Sequence, residues 1–218
     1  RVQTPTLAMV CDRYWKNKRF TPEAFWQLHF ATGMADGGTV KLSSVEKWKD
    51  KAEADTAYTR LKAARTATVD KVERKEKTEE PPLLYDLTSL QKEANAKHGF
   101  TADQTLQIAQ KLYESKIITY PRTGSRYIPE DVFAEIPSLL LTLQGSEKWG
   151  TKAMMLSALS RHSVDDSKVT DHHALLITGE KPALLSKDEM TVYDMIVGRM
   201  IEAFADKCVK EVTSVTAT

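Results

Sequence analysis

Two short segments hold the residues best suited to chemistry. The first is Ile117-Ile-Thr-Tyr-Pro-Arg-Thr-Gly-Ser-Arg-Tyr-Ile128. Its Tyr120 follows an apolar stretch and precedes Pro121, which keeps the residue before it out of helical backbone. Arg122 stands two residues on, with Thr123, Ser125 and Arg126 close behind. A free tyrosine has a pKa of about 10, so only about 0.1% of it is ionised at pH 7. An attacking phenolate therefore needs cations nearby. An arginine supplies a permanent charge that can also grip phosphate through paired hydrogen bonds. Between positions 111 and 126 the basic residues are Lys111, Lys116, Arg122 and Arg126, opposed by Glu114 alone. That local excess describes a phosphate cradle. The plainer alternative is a tyrosine packed at a strand end with its arginines in solvent.

The second segment is Val169-Thr-Asp-His-His-Ala-Leu-Leu-Ile-Thr178. If it is a strand, His172 and His173 point to opposite faces, and at most one can join a shared site. A metal pair on one helical face would need a spacing of three or four, which these adjacent residues lack. One of them could orient a phosphate oxygen or relay a proton; the alternative is a surface histidine beside a half-buried one. His29, His98 and His162 have no partner pattern and read as structural or solvated.

The elements that must position these residues fall into two textures. Near the start, Leu7, Val10, Cys11 and Tyr14 lie at helical spacing, with Thr6 as a candidate N-cap and a basic Lys16-Asn-Lys-Arg19 at the end. Residues 25–30 and 39–42 read as short strands around an Asp36-Gly-Gly38 turn. A helix over 52–63 and a strand near 66–69 follow. The charged run 70–80, closed by Pro81-Pro82, reads as a solvated strand end or linker at a domain boundary.

Beyond Pro82 the pattern is helical. Thr88 and Gln91 form a candidate capping box for a helix to about residue 97, ended by Gly99. Thr101 caps a second helix with Leu106, Ile108, Ala109 and Leu112 inward, and a short strand is expected over 116–120. Helix, turn, helix and strand make the opening of a winged-helix or helix-turn-helix unit. Further helices are predicted over 131–143 and 151–159. Another is opened by a Ser186/Glu189 capping box and runs through Ala205, and strand texture returns at Val209.

Composition bounds the remaining possibilities. The 218 residues suffice for one or two domains with a buried core. Cys11 and Cys208, the only two cysteines, exclude a disulfide scaffold and a zinc site of paired Cys-x-x-Cys type. No apolar run approaches the roughly 20 residues that span a bilayer. With 31 Lys+Arg against 30 Asp+Glu, the formal net charge of +1 gives no global attraction to nucleic acid, so any such site must come from local patterning. No Gly-x-x-x-x-Gly-Lys-Ser/Thr phosphate loop is present. The chain opens at Arg1 and stops at Thr218 inside a strand-like run, which reads as part of a longer polypeptide.

Five motifs in order carry a resemblance: Arg1-Val-Gln-Thr-Pro-Thr-Leu7, Thr88-Ser-Leu-Gln-Lys-Glu-Ala94, the segment from Gly99-Phe-Thr-Ala-Asp-Gln to Lys111-Leu-Tyr113, Ile118-Thr-Tyr-Pro-Arg-Thr123 and Asp171-His-His-Ala174. Together they resemble the type IA DNA topoisomerases, and the Tyr-Pro-Arg and Asp-His-His-Ala forms are more similar to the topoisomerase III branch. The resemblance implies that Tyr120 is the nucleophile that attacks a single-stranded DNA phosphodiester and becomes linked to the 5′ phosphate. It implies that Arg122 contacts the scissile phosphate and that His172 sits at the active site near the DNA. Arg1 and Gln3 resemble residues close to the bound strand, and Lys116 and Arg126 join them as expected DNA contacts. The family often has Asp where this chain has Gly124, so no role is assigned there.

The implied fold is α+β, with a helical winged-helix or CAP-like domain inserted into a β-rich arch. Residues 1–20 would be the tail of a DNA-groove domain, 21–80 the first part of the arch, 81–205 the helical domain with the tyrosine, and 206–218 the return into the arch. The family's Mg²⁺ would be held by an acidic domain preceding the Arg-Val-Gln motif, with no metal bound by this chain. Asp165-Asp166 looks like a loop rather than a metal cluster. Without that domain, no relaxation of supercoils is expected. Single-stranded DNA and the acidic domain are the implied partners, the protein monomeric, not membrane-bound, and cytoplasmic beside a bacterial nucleoid. One alternative is a winged-helix DNA-binding module in which Tyr120 merely stacks. Another, a tyrosine recombinase or type IB enzyme, usually places its tyrosine after the arginine and histidine, whereas Tyr120 precedes His172.

Overall fold

The helical spacing near the start is realised in α1 (Gln3–Lys18), longer than expected at both ends. Thr6 is not its cap. Val2 holds the N-cap position, and the Thr6 hydroxyl donates to the Val2 carbonyl from inside the first turn. The strand expected over 25–30 starts late, as β1 (His29–Gly33), which pairs antiparallel with β2 (Thr39–Ser43) in the register Ala31 opposite Lys41. Trp26 contributes only an isolated bridge to Trp48. Then α2 (Lys51–Ala64) leads to β3 (Val69–Glu79). In this computed structural model the described residues are 2–33, 37–64, 67–182 and 184–218. Arg1 and the Asp36 of the expected turn lie outside them.

The charged run at 70–80 is strand as far as Glu79, not a linker. It pairs with β4 (Cys208–Ala217) as a two-stranded ribbon. A ribbon exposed on both faces needs no apolar alternation, so the usual strand signal is missing. Cross-strand charge pairing takes its place. Lys210 pairs with Glu79 across the ribbon, and at its end Lys207 Nζ lies 2.6 Å from Glu80 Oε1. The chain divides into two compact units, Arg1–Val72 with Val215–Thr218, and Glu73–Ser214. The division falls within this ribbon.

The second unit contains the core. α3 (Leu87–His98) is capped by Asp86, not Thr88: the Asp86 carboxylate accepts from Ser89 N–H, and the Ser89 hydroxyl accepts from Asp86 N–H. The box lies two residues before the expected one, because Asp86 holds the extended backbone an N-cap needs while Thr88 is already helical. Gly99 closes the helix at φ 73°, a conformation glycine adopts without steric penalty. α4 (Ala102–Glu114) opens on the expected Thr101, which forms a reciprocal box with Gln104. It buries Thr105, Ala109 and Leu112, with Leu106 only half-buried. After α5 (Glu130–Thr142) and a short α6 (Gly150–Met154) comes α7 (Lys187–Phe204), opened by the expected Ser186/Glu189 box. α7 packs on α3 and α4 and buries Val192, Tyr193, Ile196, Val197, Met200, Ile201, Ala203 and Phe204. Gly198 on α7 lets the Trp149 indole lie against the helix: a Cβ there would sit 3.0 Å from the ring.

Candidate active site around Tyr120

Tyr120 is carried by a buried chain crossing, not by a regular strand. The expected strand over 116–120 reduces to one antiparallel bridge between Ile118 and Ile177. The segment Ala174-Leu-Leu-Ile177 is wholly buried. On one edge it receives the Thr119 N–H at the Leu176 carbonyl, 2.9 Å, and on the other Leu175 N–H reaches the Tyr85 carbonyl at 2.8 Å. Such an apolar run flanked on both sides is held by burial, and it anchors Tyr120 and His172 at the same end of the crossing. His172 and His173 therefore lie in irregular backbone rather than in a strand.

The two sequence-predicted motifs meet here. The Tyr120 and His172 rings lie 4.6 Å apart, centroid to centroid, inclined at 55°. The Thr123 hydroxyl donates to the His172 carbonyl at 2.9 Å and so ties the backbone of one motif to the other. His172 is exposed, whereas the half-buried His173 donates from Nδ1 to the Ala174 carbonyl at 2.7 Å. Thus one histidine of the pair faces the tyrosine and its neighbour serves the backbone.

Arg122 is exposed, and its Nη1 donates to Gln110 Oε1 at 2.7 Å. That contact uses a single N–H and leaves the rest of the guanidinium fork able to meet a phosphate. Arg126 turns the other way. Its Nε and Nη2 donate to the carbonyls of Leu84 and Leu83 at 3.1 and 3.4 Å, which makes it a backbone tie in this structure. Lys116 is exposed, and its backbone explains why it sits where it does. Lys116 N–H bonds the Tyr113 carbonyl at 2.8 Å and Ile117 N–H the Leu112 carbonyl at 3.1 Å, the paired bonds of a Schellman end to α4. Lys116 takes the left-handed position, φ 61°, where glycine is usual. Gln3 is exposed at the start of α1, in the other unit, and Arg1 lies outside the described residues.

Three further groups complete the surround, and two of them, Gln110 and Tyr113, carry no role in the sequence analysis. Tyr113, 39% exposed, meets Tyr120 edge-on with centroids 5.2 Å apart. Gln110 holds Arg122, and Thr123 holds His172. The available signal was the i, i+3 spacing of Gln110 and Tyr113, which borders the buried stripe of Thr105, Ala109 and Leu112 on α4.

The arrangement offers a phenol against an imidazole, with a guanidinium two residues along the chain. That is a nucleophile, a proton-handling or orienting group, and a fixed cation for a phosphate. Among the described residues no group of three or more His, Cys, Asp or Glu side chains could hold a metal ion. The described residues therefore do not fit a Mg²⁺ site, whose ligands the resemblance places in a preceding acidic domain. Among the described residues no helix is long and apolar enough to cross a membrane.

A family model described as DNA topoisomerase matches residues 1–218. The chain is 38% identical over 230 residues to DNA topoisomerase 3 of Shouchella clausii (strain KSM-K16), covering all of this chain and 31% of that protein. To DNA topoisomerase 3 of Bacillus licheniformis it is 35% identical over 241 residues, again covering all of this chain and 31% of the relative. It thus spans about a third of the length of the curated relatives it matches. The structure of full-length topoisomerase I from Thermotoga maritima superposes with a TM-score of 0.66 at 24% identity, over 99% of this chain and 35% of the other, a likeness of fold.

Proposed function

Because the chain belongs to the type IA DNA topoisomerase family, we propose that Tyr120 is the nucleophile that breaks and reseals one strand of DNA. The observation that carries this reading is the meeting of Tyr120 and His172 at 4.6 Å, with Arg122 two residues along the chain. The phenol oxygen forms a bond to phosphorus while the bond from phosphorus to the 3′ oxygen breaks, leaving a 5′ phosphotyrosine and a 3′ hydroxyl. One phosphate ester replaces another, so resealing reverses the step without external fuel. Arg122 neutralises the nonbridging oxygens, and His172 orients an oxygen or passes the proton between the phenol and the departing hydroxyl. Lys116, Gln3 and Arg1 would track the backbone of single-stranded DNA. Arg126, already bonded to two carbonyls, would do so only after giving them up.

The domain assignment follows the same reading: 1–20 in a groove-lining domain, 21–80 and 206–218 in an arch, and 81–205 as an inserted winged-helix domain. Mg²⁺ and its acidic ligands would come from parts of the family polypeptide outside these residues, without which the chain relaxes no supercoils. The expected setting is the bacterial cytoplasm, at the nucleoid, as a monomer.

The test mixes the chain with a single-stranded oligonucleotide and the separately supplied acidic domain, and traps covalent adduct. Tyr120→Phe should lower the adduct by at least about 10³-fold, with protein mapped to the 5′ end of the cleaved strand. Adduct that persists in Tyr120→Phe, or protein on the 3′ end, would overturn the assignment.

A further inference from the structure

The last turn of α4 does more than support the site from below. Gln110 Oε1 accepts from Arg122 Nη1 at 2.7 Å, and Gln110 Nε2 donates to Glu114 Oε1 at 3.0 Å. On the same turn, Tyr113 abuts Tyr120. Both ends of the Gln110 amide are thereby fixed. A guanidinium has no acceptor, so only the amide oxygen can face it; a carboxylate has no donor, so only the amide nitrogen can face Glu114. A flipped amide would break both bonds together.

We propose that Gln110, oriented by Glu114, is a positioning residue that holds Arg122 for the scissile phosphate while leaving its charge undiminished. The inference rests on the roles proposed above for Tyr120 and Arg122. An exposed arginine carries much rotamer freedom, which must be surrendered when phosphate arrives. A neutral acceptor removes part of that freedom beforehand. A carboxylate at the same place would also hold the guanidinium, but as an ion pair competing with phosphate for the same fork. The acid of this pair is instead set back, at Glu114, where it touches the amide and not the arginine. The helix thus supplies geometry at Gln110 and keeps its negative charge one step removed.

The experiment measures adduct formation and binding of a single-stranded oligonucleotide as salt rises, in the family-length polypeptide carrying these residues. Gln110→Glu is near-isosteric and should slow adduct formation about 100-fold. Its plot of log affinity against log salt should flatten by about 0.7, the share of one phosphate contact on a single strand. Gln110→Ala should slow the reaction about tenfold and leave that slope unchanged, because the charge remains while its placement is lost. Added to Arg122→Ala, either variant should cost nothing further. Gln110→Glu reacting within twofold of the parent, with an unchanged slope, would overturn the proposal, as would full additivity with Arg122→Ala. Tyr120→Phe run alongside separates the two readings. Adduct surviving there removes the nucleophile, whereas adduct lost there with Gln110→Glu unaffected removes only the positioning role.

Discussion

The second unit contains two constellations built from a tyrosine and an arginine, and they could hardly be handled more differently. Around Tyr85 the arginine is internal. The Arg199 guanidinium lies over the Tyr85 ring at 4.2 Å, its Nη2 pairs with Glu93, and its Nη1 donates to the Leu83 carbonyl at 3.3 Å. Its Nε lies 3.3 Å from Glu202 Oε2, close enough to pair though not aligned as a hydrogen bond. Around Tyr120 the arginine is external, its guanidinium bonds a neutral amide, and the tyrosine touches two rings rather than a carboxylate. The first cluster cancels its charges inside the fold and is architecture. The second leaves a cation uncancelled beside a nucleophile, and can act on something that arrives from solvent. Residue type alone does not distinguish the two; the presence of a carboxylate in contact does.

That contrast is broken most severely by exchanging which arginine is removed. Arg199→Met keeps the volume but strips Glu93 of its buried partner and uncovers the Tyr85 ring. Removing one partner of a fully buried pair costs about 3–5 kcal/mol. Glu93 retains Lys97 at 2.6 Å and some solvent, so about 2 kcal/mol is expected here. Urea unfolding should show it as a lower midpoint at constant slope. Arg122→Ala should move the same midpoint by less than about 0.5 kcal/mol, yet abolish most adduct formation. If both variants destabilise equally, the division into architecture and action fails.

The pH dependence sharpens the same comparison. Burial pushes the Tyr85 phenol well above its ordinary value, and its hydrogen bond to Glu93 pushes further. Burial would raise Glu93, but hydrogen bonds from Lys97 and Tyr85 and the charge of Arg199 hold it below the usual carboxylate range. For Tyr85 the folded state favours the protonated form, so its contribution is full below about pH 10 and is lost as pH rises beyond that. For Glu93 the folded state favours the ionised form. Its contribution is full above about pH 4.3 and is lost as pH falls through the lower folded value. A stability profile should therefore fall at both extremes. Tyr85→Phe should flatten the alkaline limb and Glu93→Gln the acid limb. A profile with unaltered limbs would detach these shifts from folding.

The sequence made the Tyr120 site visible and the Tyr85 cluster invisible, for one physical reason. Tyr120, Arg122 and His172 lie in two compact motifs whose residue order resembles a family, so spacing along the chain carried the information. Tyr85, Glu93 and Arg199 are joined only by the packing of α7 on α3, and no local spacing announces that. The same limit explains the ribbon. Its register is set between strands more than a hundred residues apart, and the charged residues of β3 carry no apolar period. The N-cap at Thr101 and the capping box at Ser186 are legible because the chemistry is local, and the Asp86 box lies only two residues before the expected one. Arg126 shows the converse: a basic residue in a basic segment, spent on the carbonyls of Leu83 and Leu84.

The smallest effect lies at the edge of the active region, at Lys116. Its left-handed backbone closes α4 and leads into the buried Ile117 and Ile118 that carry Tyr120. A side chain at φ 61° is disfavoured by about 1 kcal/mol relative to glycine. Lys116→Gly should therefore stabilise the folded chain, by up to roughly 1 kcal/mol less the greater chain entropy of an unfolded glycine. If the lysine also tracks a phosphate, the same change should weaken single-strand binding and flatten its salt slope by about 0.7. Lys116→Asn separates the two contributions, since asparagine tolerates the left-handed region but carries no charge. It should match the binding loss of the glycine variant while keeping most of its stability gain. A glycine variant that gains stability with no change in binding would make Lys116 a helix end and nothing more.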